Sequence, residues 1–254
     1  WFLIGHGRVL LMSYSNENIV EVRHVSKAYK LFNSPGQRFC YQLLKKGNGK
    51  DFYALKDVSF DVKRGESFAI IGKNGSGKST MLQILAGILK PTTGSVNING
   101  RVAALLELGS GFNPESTGYE NIFMNAAILG VDHKKIESKV QEIVDFADIG
   151  DFINQPVKTY SSGMYIRLAF AVAINVDADI ILVDEALAVG DVFFRQKCYT
   201  KLNELRSKGA TIILVTHNMS EVEQFCDRAL LLYHGEVKFD GRSSDAVKLY
   251  YMLN

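Results

Sequence analysis

An eleven-residue stretch, 70–80, constrains the fold of this chain more than any other. It reads Ile-Ile-Gly-Lys-Asn-Gly-Ser-Gly-Lys-Ser-Thr and contains the pattern G-x-x-x-x-G-K-[ST]. An apolar run of strand character, 68–71, precedes the turn, and a run of helical periodicity, 81–89, follows it. A strand, a glycine-rich turn and a helix in this order form a phosphate-binding loop, so the sequence predicts an α/β fold with a parallel sheet and a nucleotide site.

The residue types of this loop suit that chemistry. Gly72, Gly75 and Gly77 permit unusual backbone conformations and let N–H groups approach phosphate oxygens, while the following helix directs its positive end at them. We expect Lys78 to reach the β- and γ-phosphates of ATP and Ser79 to place its hydroxyl on Mg²⁺. The predicted nucleotide-binding residues of the loop are Gly72, Lys73, Asn74, Gly75, Ser76, Gly77, Lys78, Ser79 and Thr80. The alternative is a glycine-rich turn that binds nothing, and the complete motif in this setting argues against it.

Composition adds modest limits. The chain has 254 residues, 47% of them apolar and 22% charged, which is ordinary for a soluble globular protein. A net charge of +2 gives no reason to expect a nucleic-acid partner. Cys40, Cys198 and Cys226 are far apart and lack metal-ligand or redox spacing, so we predict thiols in a reducing, cytoplasmic compartment.

The first eleven residues, 1–11, are apolar but too short to span a bilayer, which takes roughly 20 apolar residues. They also lack the basic start and cleavage site of a signal peptide, and we interpret them as an extension or an artificial remnant preceding a single domain, 12–254. Any membrane role is therefore expected to come through a partner.

The rest of the chain divides into recognisable parts. Strands are expected at 19–25 and 58–62, and between them an insertion, 33–50, carries an amphipathic basic helix at 35–46. This helix either packs on its own domain or lies at a membrane surface or partner. A helical subdomain is expected at 112–176.

Two acidic residues end the apolar run 180–183. Such a run, like 211–215, is typical of a strand buried in a parallel sheet, whose carboxyl edge is where α/β folds bind ligands. We expect Asp184 to hold Mg²⁺, directly or through water, and Glu185 to polarise the water that attacks the γ-phosphate. The alternative is that both acids merely cap the strand.

A third motif indicates the class of nucleotide-binding protein. Residues 160–164 read Tyr-Ser-Ser-Gly-Met and open a predicted helix, which resembles the signature motif, usually Leu-Ser-Gly-Gly-Gln, of ATP-binding cassette (ABC) proteins. Asp191 matches the D-loop of that family, and His217 matches its switch histidine. The resemblance implies an ABC ATPase fold: a RecA-like core with a parallel sheet, an antiparallel β subdomain and an α-helical signature subdomain.

The same resemblance implies a homodimer that binds ATP head to tail. Ser161, Ser162 and Gly163 would then bind the γ-phosphate held by the phosphate loop of the opposite subunit, and Asp191 is a further implied nucleotide-binding residue. Lys78, Glu185 and His217 are the implied catalytic residues, with His217 sensing the γ-phosphate.

Tyr29 matches the family's aromatic residue that stacks on adenine. The insertion that follows it leaves Phe52 and Tyr53 as competitors, and a role in the core is a further alternative.

The departures from the family pattern point to a subgroup. Glu107-Leu108-Gly109 occupies the place where most members carry a glutamine. The signature has Ser162 in place of the usual glycine and Met164 in place of the usual glutamine. These features resemble the ATPase subunits of polysaccharide exporters, which move O-antigen, capsule or teichoic acid. The implied partners are a separate membrane permease and a lipid-linked polysaccharide, and the implied location is the cytoplasmic face of the membrane.

In that subgroup the amphipathic insertion is a gate helix, and a Leu-Gly loop lies near the substrate entrance. The implied substrate contacts are Tyr41, Leu108 and Gly109. Two alternatives are an ATPase for another transported substrate and a non-transport ABC ATPase acting on DNA or ribosomes. The absence of a coiled coil or a tandem cassette in the sequence disfavours the second.

Overall fold

The computed structural model of the protein describes residues 17–32, 50–106, 108–184 and 191–253. The strands within these ranges are β1 (Asn18–Leu31), β2 (Lys50–Lys63), β3 (Ser67–Ile71), β4 (Thr93–Ile98), β5 (Val102–Leu105), β6 (Ile180–Val183), β7 (Thr211–Val215), β8 (Arg228–Tyr233) and β9 (Glu236–Arg242). The α-helices are α1 (Lys78–Leu85), α2 (Gly118–Ile128), α3 (His133–Glu137), α4 (Val140–Ala147), α5 (Ser162–Ile174), α6 (Val192–Ser207), α7 (Met219–Phe225) and α8 (Ser243–Met252). Two 3₁₀ turns, Gly150–Asn154 and Val157–Thr159, lie between α4 and α5.

A six-stranded sheet forms the centre of the molecule, in the order β5-β6-β7-β3-β8-β9. Its first five strands are parallel, and only β9 pairs antiparallel, with β8. Every residue of β3, β6 and β7 is buried, as their continuous apolar runs predict for strands covered on both faces. The predicted parallel α/β core is confirmed.

A second sheet is antiparallel and has the order β2-β1-β4. Its strands β1 and β2 are longer than the alternating pattern predicts, because they continue as a two-stranded arm as far as the pairing of Leu31 with Lys50. The outer part of this arm is largely exposed, so no buried face imposes an alternating pattern on its sequence. Register shifts lie near His24 and Asp57, both in the left-handed region with φ of 51°.

The core has two halves, separated by the six-stranded sheet. Alternate side chains of β3 point to opposite sides: Ala69 and Ile71 pack with the helices α2 to α6, and Phe68 and Ile70 pack with α1 and the antiparallel sheet. The strand that leads into the phosphate loop is therefore held by both halves of the core.

The helix α1 differs from the predicted run 81–89 at both ends. It begins at Lys78, inside the motif, and it ends at Leu85. Gly87 adopts φ of +72° there and donates its N–H to the carbonyl of Ile84 at 3.0 Å, which closes the helix in a left-handed turn.

The helices α2 to α5 form one packed unit within 118–174, and the boundaries of the predicted domains stay predictions. The predicted helix 35–46 and the segment 1–11 lie outside the described residues. Among the helices that the structure describes, none is long and apolar enough to cross a membrane. Cys198 and Cys226 are buried thiols, and burial raises the pKa of both to about 12.

Candidate nucleotide-binding site

The backbone of the loop between β3 and α1 requires glycine at two places. Gly72 has φ of +152°, and a Cβ there would lie 2.3 Å from the carbonyl oxygen of Leu232. Gly77 has φ of +106°, and a Cβ there would lie 2.6 Å from the carbonyl oxygen of Ala54. The ends of the loop are thus packed directly against the backbone of β8 and β2, which fixes its curvature.

Lys78 lies inside this loop and is buried. Its Nζ donates to the carbonyl oxygens of Gly72 at 2.8 Å and Lys73 at 3.2 Å, so the ammonium group is held at the concave side of the loop. Ser76 is also buried. In the first turn of α1, Ser79 is exposed and Thr80 is half-buried. The residue before the helix, Gly77, provides no side-chain cap for its N–H groups.

The sheet brings the two other predicted core motifs to the same edge as this loop. The strand β7 pairs in parallel with β3 on one side and β6 on the other, and the pairing reaches the last residue of both β6 and β7. Gly72 directly follows β3, Asp184 directly follows β6, and His217 comes two residues after β7. Because the carboxyl ends of parallel strands share one edge, these three residues lie on adjacent loops.

His217 is exposed and lies in a fixed turn between β7 and α7. The hydroxyl of Thr216 accepts the N–H of Asn218 at 3.0 Å, and the Asn218 side chain in turn caps α7 by accepting the N–H of Ser220 at 3.1 Å. The residues on either side of His217 are thereby anchored.

The donor set at this edge fits a magnesium ion. Ser79 offers a hydroxyl and Asp184 a carboxylate, the oxygen ligands that Mg²⁺ prefers, and a Mg²⁺ ion normally completes its shell with water and phosphate oxygens. Among the described residues, no group of three or more His, Cys, Asp or Glu side chains forms a metal site by itself. The set therefore matches an ion that binds together with a nucleotide. Glu185 lies outside the described residues.

The exposed aromatic residues of the β1–β2 arm lie close to the phosphate loop, because Ala54 and Leu55 of β2 abut Gly77. Tyr29 pairs with Phe52, so both side chains occupy one face of the arm, and Tyr53 occupies the other. Tyr29 and Phe52 therefore remain joint candidates for stacking on a base.

The signature motif lies at the start of α5, in the helical unit. Ser161 is the N-cap and accepts the N–H of Met164 at 3.3 Å, while Ser161 and Ser162 are exposed. Among the described residues, a Cβ on Gly163 would meet only the Ser161 hydroxyl, at 3.9 Å, so this part of the chain leaves room for a ligand at the turn. The hydroxyl of Tyr160 donates to the carbonyl of Phe152 at 2.7 Å and ties the motif to the helical unit.

Asp191, the D-loop match, caps the start of α6. Its Oδ1 accepts the N–H of Phe194 at 2.9 Å, and its Oδ2 accepts a hydrogen bond from the guanidinium of Arg167 on α5. The Phe194 N–H first, and then Arg167, hold the pKa of the Asp191 carboxyl below its usual value. The helix that carries the signature is thus connected to the D-loop residue.

The loop after β5 contains Leu108 and Gly109, which are half-buried and buried. With α2 and α5 it lines a groove of about 350 Å³, at whose rim the apolar side chains of Ile88 and Ile128 are 59% and 68% exposed. Tyr41 and Glu107 lie outside the described residues.

The sequence did not indicate the connecting residues Tyr165 and Arg167. Tyr165 bonds to a carbonyl 56 residues away, at Gly109, and Arg167 bonds to Asp191, 24 residues away. A local sequence pattern cannot predict hydrogen bonds between residues so far apart in the chain. The one available signal was that both residues lie in the first turns of the helix that begins at the signature motif.

Comparisons with known proteins agree with this geometry. A model of the ABC transporter family matches residues 55–188. ABC transporter protein AbcA of Aeromonas salmonicida is 49% identical over 238 residues, which cover 94% of this chain and 77% of that protein. O-antigen export system ATP-binding protein RfbB of Klebsiella pneumoniae is 42% identical over 243 residues, covering 92% of this chain and 98% of that protein.

A solved structure extends the agreement to the fold. The dimeric, post-hydrolysis structure of an ATP-binding cassette bound to ADP and Pi matches with a TM-score of 0.72 at 26% identity, over 88% of this chain and 98% of that chain. The fold predicted from the motifs, including both sheets and the helical unit, is therefore confirmed. The chain belongs to the ABC transporter family, as a nucleotide-binding subunit that hydrolyses ATP.

Proposed function

We propose that this chain is the ATPase subunit of a transporter that exports a lipid-linked polysaccharide, such as an O-antigen, a capsule or a teichoic acid, across the cytoplasmic membrane. The observation that carries the proposal is the similarity to the O-antigen export protein RfbB, which extends over nearly the whole of both chains. The Tyr-Ser-Ser-Gly-Met signature and the absence of a glutamine at 107–109 support the same subgroup.

In this proposal the loop from Gly72 to Thr80 binds the phosphates of ATP through its backbone N–H groups and the start of α1. Lys78 contacts the β- and γ-phosphates through charge-assisted hydrogen bonds from its ammonium group. Glu185 accepts a proton from the attacking water, and His217 contacts the γ-phosphate from the adjacent loop. The chain's own contribution is to position these groups before ATP arrives.

Ser79 and Asp184 would be ligands of a magnesium ion that binds together with the nucleotide. When bound, Mg²⁺ neutralises the charge that develops on the phosphates during hydrolysis. The position of Asp184 at the end of a fully buried strand supports this role, because the strand fixes its backbone at the ligand edge of the sheet.

We propose a head-to-tail homodimer as the active form. Ser161, Ser162 and Gly163 would contact the γ-phosphate held by the opposite subunit, and Asp191 would lie beside that interface. The exposure of this turn and the start of α5 behind it suit an anion.

The membrane permease is proposed to dock in the groove between the β5 loop, α2 and α5. Its rim exposes the large apolar side chains of Ile88 and Ile128, which a docked protein surface would cover. The predicted gate helix at 35–46, with Tyr41, and the Leu108-Gly109 loop would contact the lipid-linked sugar. Such an assembly places the chain at the cytoplasmic face of the membrane.

The test is depletion of the protein in its host, followed by measurement of where lipid-linked polysaccharide accumulates. We expect polymer to be trapped on the cytoplasmic side, where it is labelled only after the cells are lysed, and to reach the surface again when the wild-type gene is restored. Restoring the Lys78→Ala variant should leave the polymer inside, which ties export to ATP use.

Normal surface polymer after depletion would contradict the proposal. The chain would then remain an ABC ATPase that serves another substrate, such as a drug or a lipid.

A further inference from the structure

Tyr165 makes an unusual contact between α5 and the loop after β5. Its hydroxyl donates to the carbonyl oxygen of Gly109 at 2.5 Å. Gly109 is buried, has φ of +78°, and a Cβ there would lie 2.4 Å from Cε1 of the Tyr165 ring. The ring therefore packs on bare backbone, an approach that only glycine permits.

A second residue of the loop strengthens this contact. The N–H of Phe112 donates to the same Gly109 carbonyl at 2.8 Å, and the Phe112 ring lies 5.2 Å from the Tyr165 ring in a tilted arrangement. The Tyr165 phenol is protonated at neutral pH, as tyrosine ordinarily is, and burial raises its pKa further. The loop 109–112 is thus attached to one side chain by a hydrogen bond and by ring packing.

The other side of Tyr165 connects to the signature turn. Its backbone N–H donates to the carbonyl of Ser161 at 3.0 Å, which is the first intrahelical bond made by the N-cap residue of α5. One residue therefore bonds directly both to the turn that we assign to the γ-phosphate and to the loop that lines the groove. The path from Ser161 to Gly109 contains a single side chain.

The loop held by Tyr165 also determines the shape of that groove. Leu108, Gly109 and Gly111 line it together with Ala169 and Ala173 of α5 and with residues of α2. A shift or rotation of α5 would move Tyr165 and the attached loop together relative to Ile88 and β5, which also line the groove, so the shape of the groove depends on the position of the helix.

We propose that Tyr165 is a positioning residue that couples the signature turn to the permease groove, so that closure of the ATP-bound dimer changes the docking surface through the Tyr165–Gly109 contact. The inference rests on the proposed function, because the groove is taken to receive a permease. Tyr165 contacts neither nucleotide nor the reacting atoms in this assignment.

The test compares ATP hydrolysis by the purified chain with hydrolysis by the same chain in its complex with the co-purified membrane permease in lipid vesicles. The measured quantity is the ATPase rate of the complex divided by the rate of the purified chain. This ratio reports how strongly the permease stimulates the chain, and it does not depend on the rate of the chemical step alone. We expect Tyr165→Phe, which keeps the ring but removes the hydroxyl, to lower this ratio about fivefold, the factor that one hydrogen bond of ordinary net strength represents.

Tyr199→Phe is the matched control, because it removes a buried tyrosine hydroxyl from α6, away from the groove. Its ratio should equal that of the wild type. Thermal melting of each variant separates a loss of communication from a loss of stability, since a merely structural role would lower the melting temperature and leave the ratio unchanged.

Gly109→Ala provides a second, independent variant, since its methyl group would displace the ring without removing the hydroxyl. If both variants act on one contact, the double variant should lose no more than the worse single variant. Additive losses would overturn the proposal, as would an unchanged ratio in Tyr165→Phe. A wild-type chain that binds no permease or is not stimulated by one would instead overturn the proposed function, and the inference with it.

Discussion

The helices α1 and α5 both begin at a motif that we assign to phosphate, but their N-termini are built differently. At α1 the preceding Gly77 provides no side-chain cap, and buried Lys78 is held by the carbonyls of its own loop. At α5 the preceding Ser161 caps the first turn with its own hydroxyl, and the turn is exposed. One terminus is fixed by the core of its own subunit, and the other is presented at a surface.

This difference separates two tasks. The first N–H groups of a helix need hydrogen-bond partners, and where no side chain provides them a phosphate can do so. The α1 terminus is therefore suited to bind a nucleotide in a single subunit. The α5 terminus already satisfies part of this need, so it can remain exposed until a partner brings a phosphate to it. Binding would then require one copy and hydrolysis two.

The largest expected effect comes from Glu185→Gln, which tests whether the two termini act in sequence. Removing a general base costs about 10²–10⁴-fold in rate, and the amide keeps the shape of the side chain. We expect steady-state ATPase activity to fall by that factor while ATP binding persists and the dimer becomes detectable by gel filtration in ATP. Glu137→Gln, which changes an exposed carboxylate on α3, is the control. Unchanged hydrolysis would refute Glu185 as the base.

The next effect concerns α1 alone. Lys78→Ala removes a charge-assisted contact of about 1.5–3 kcal/mol, so nucleotide affinity should fall about 10- to 150-fold in the single subunit. Titration with a fluorescent ATP analogue in dilute protein measures this without dimerisation. Lys90→Ala, which removes an equal charge from an exposed position, should bind normally. Wild-type affinity in the Lys78 variant would mean that the nucleotide lies elsewhere.

A smaller effect should separate the α5 terminus from ordinary helix capping. Ser161→Ala and Thr117→Ala each remove a hydroxyl N-cap, of α5 and α2 respectively, and each should cost about 0.5–2 kcal/mol of stability. Only Ser161→Ala should also lower the concentration-dependent part of the ATPase rate, because only that turn is assigned to the partner's nucleotide. Equal ATPase rates in the two variants would reduce Ser161 to a structural cap.

The two helix N-termini also differ in how much of their structure could be predicted from the sequence. The α1 terminus belongs to one contiguous motif, so both its residue types and its strand–turn–helix setting could be predicted, as could the buried strands β6 and β7. The outer arm of β1 and β2 could not be predicted, because its exposed faces impose no alternation of apolar and polar residues on the sequence. The contacts of α5 with Gly109 and Asp191 also could not, because tertiary packing joins residues that are distant in the chain.

The smallest expected effect is a pH-dependent one at the link between α5 and α6. The pKa of Asp191 is lowered in the folded protein, so its contribution to stability is present above the unfolded value of about 3.9 and is lost as the pH falls through the lower folded value. Asp191→Asn keeps a capping side chain but removes the charge that pairs with Arg167. We expect it to melt a few degrees below the wild type at neutral pH, with the gap closing below about pH 4. In an Arg167→Gln background the neutral-pH gap should shrink, since the two residues share one contact. A gap that persists at low pH would mean that the carboxylate charge does not hold the two helices together, and that α5 is positioned by its packing and by Tyr165 instead.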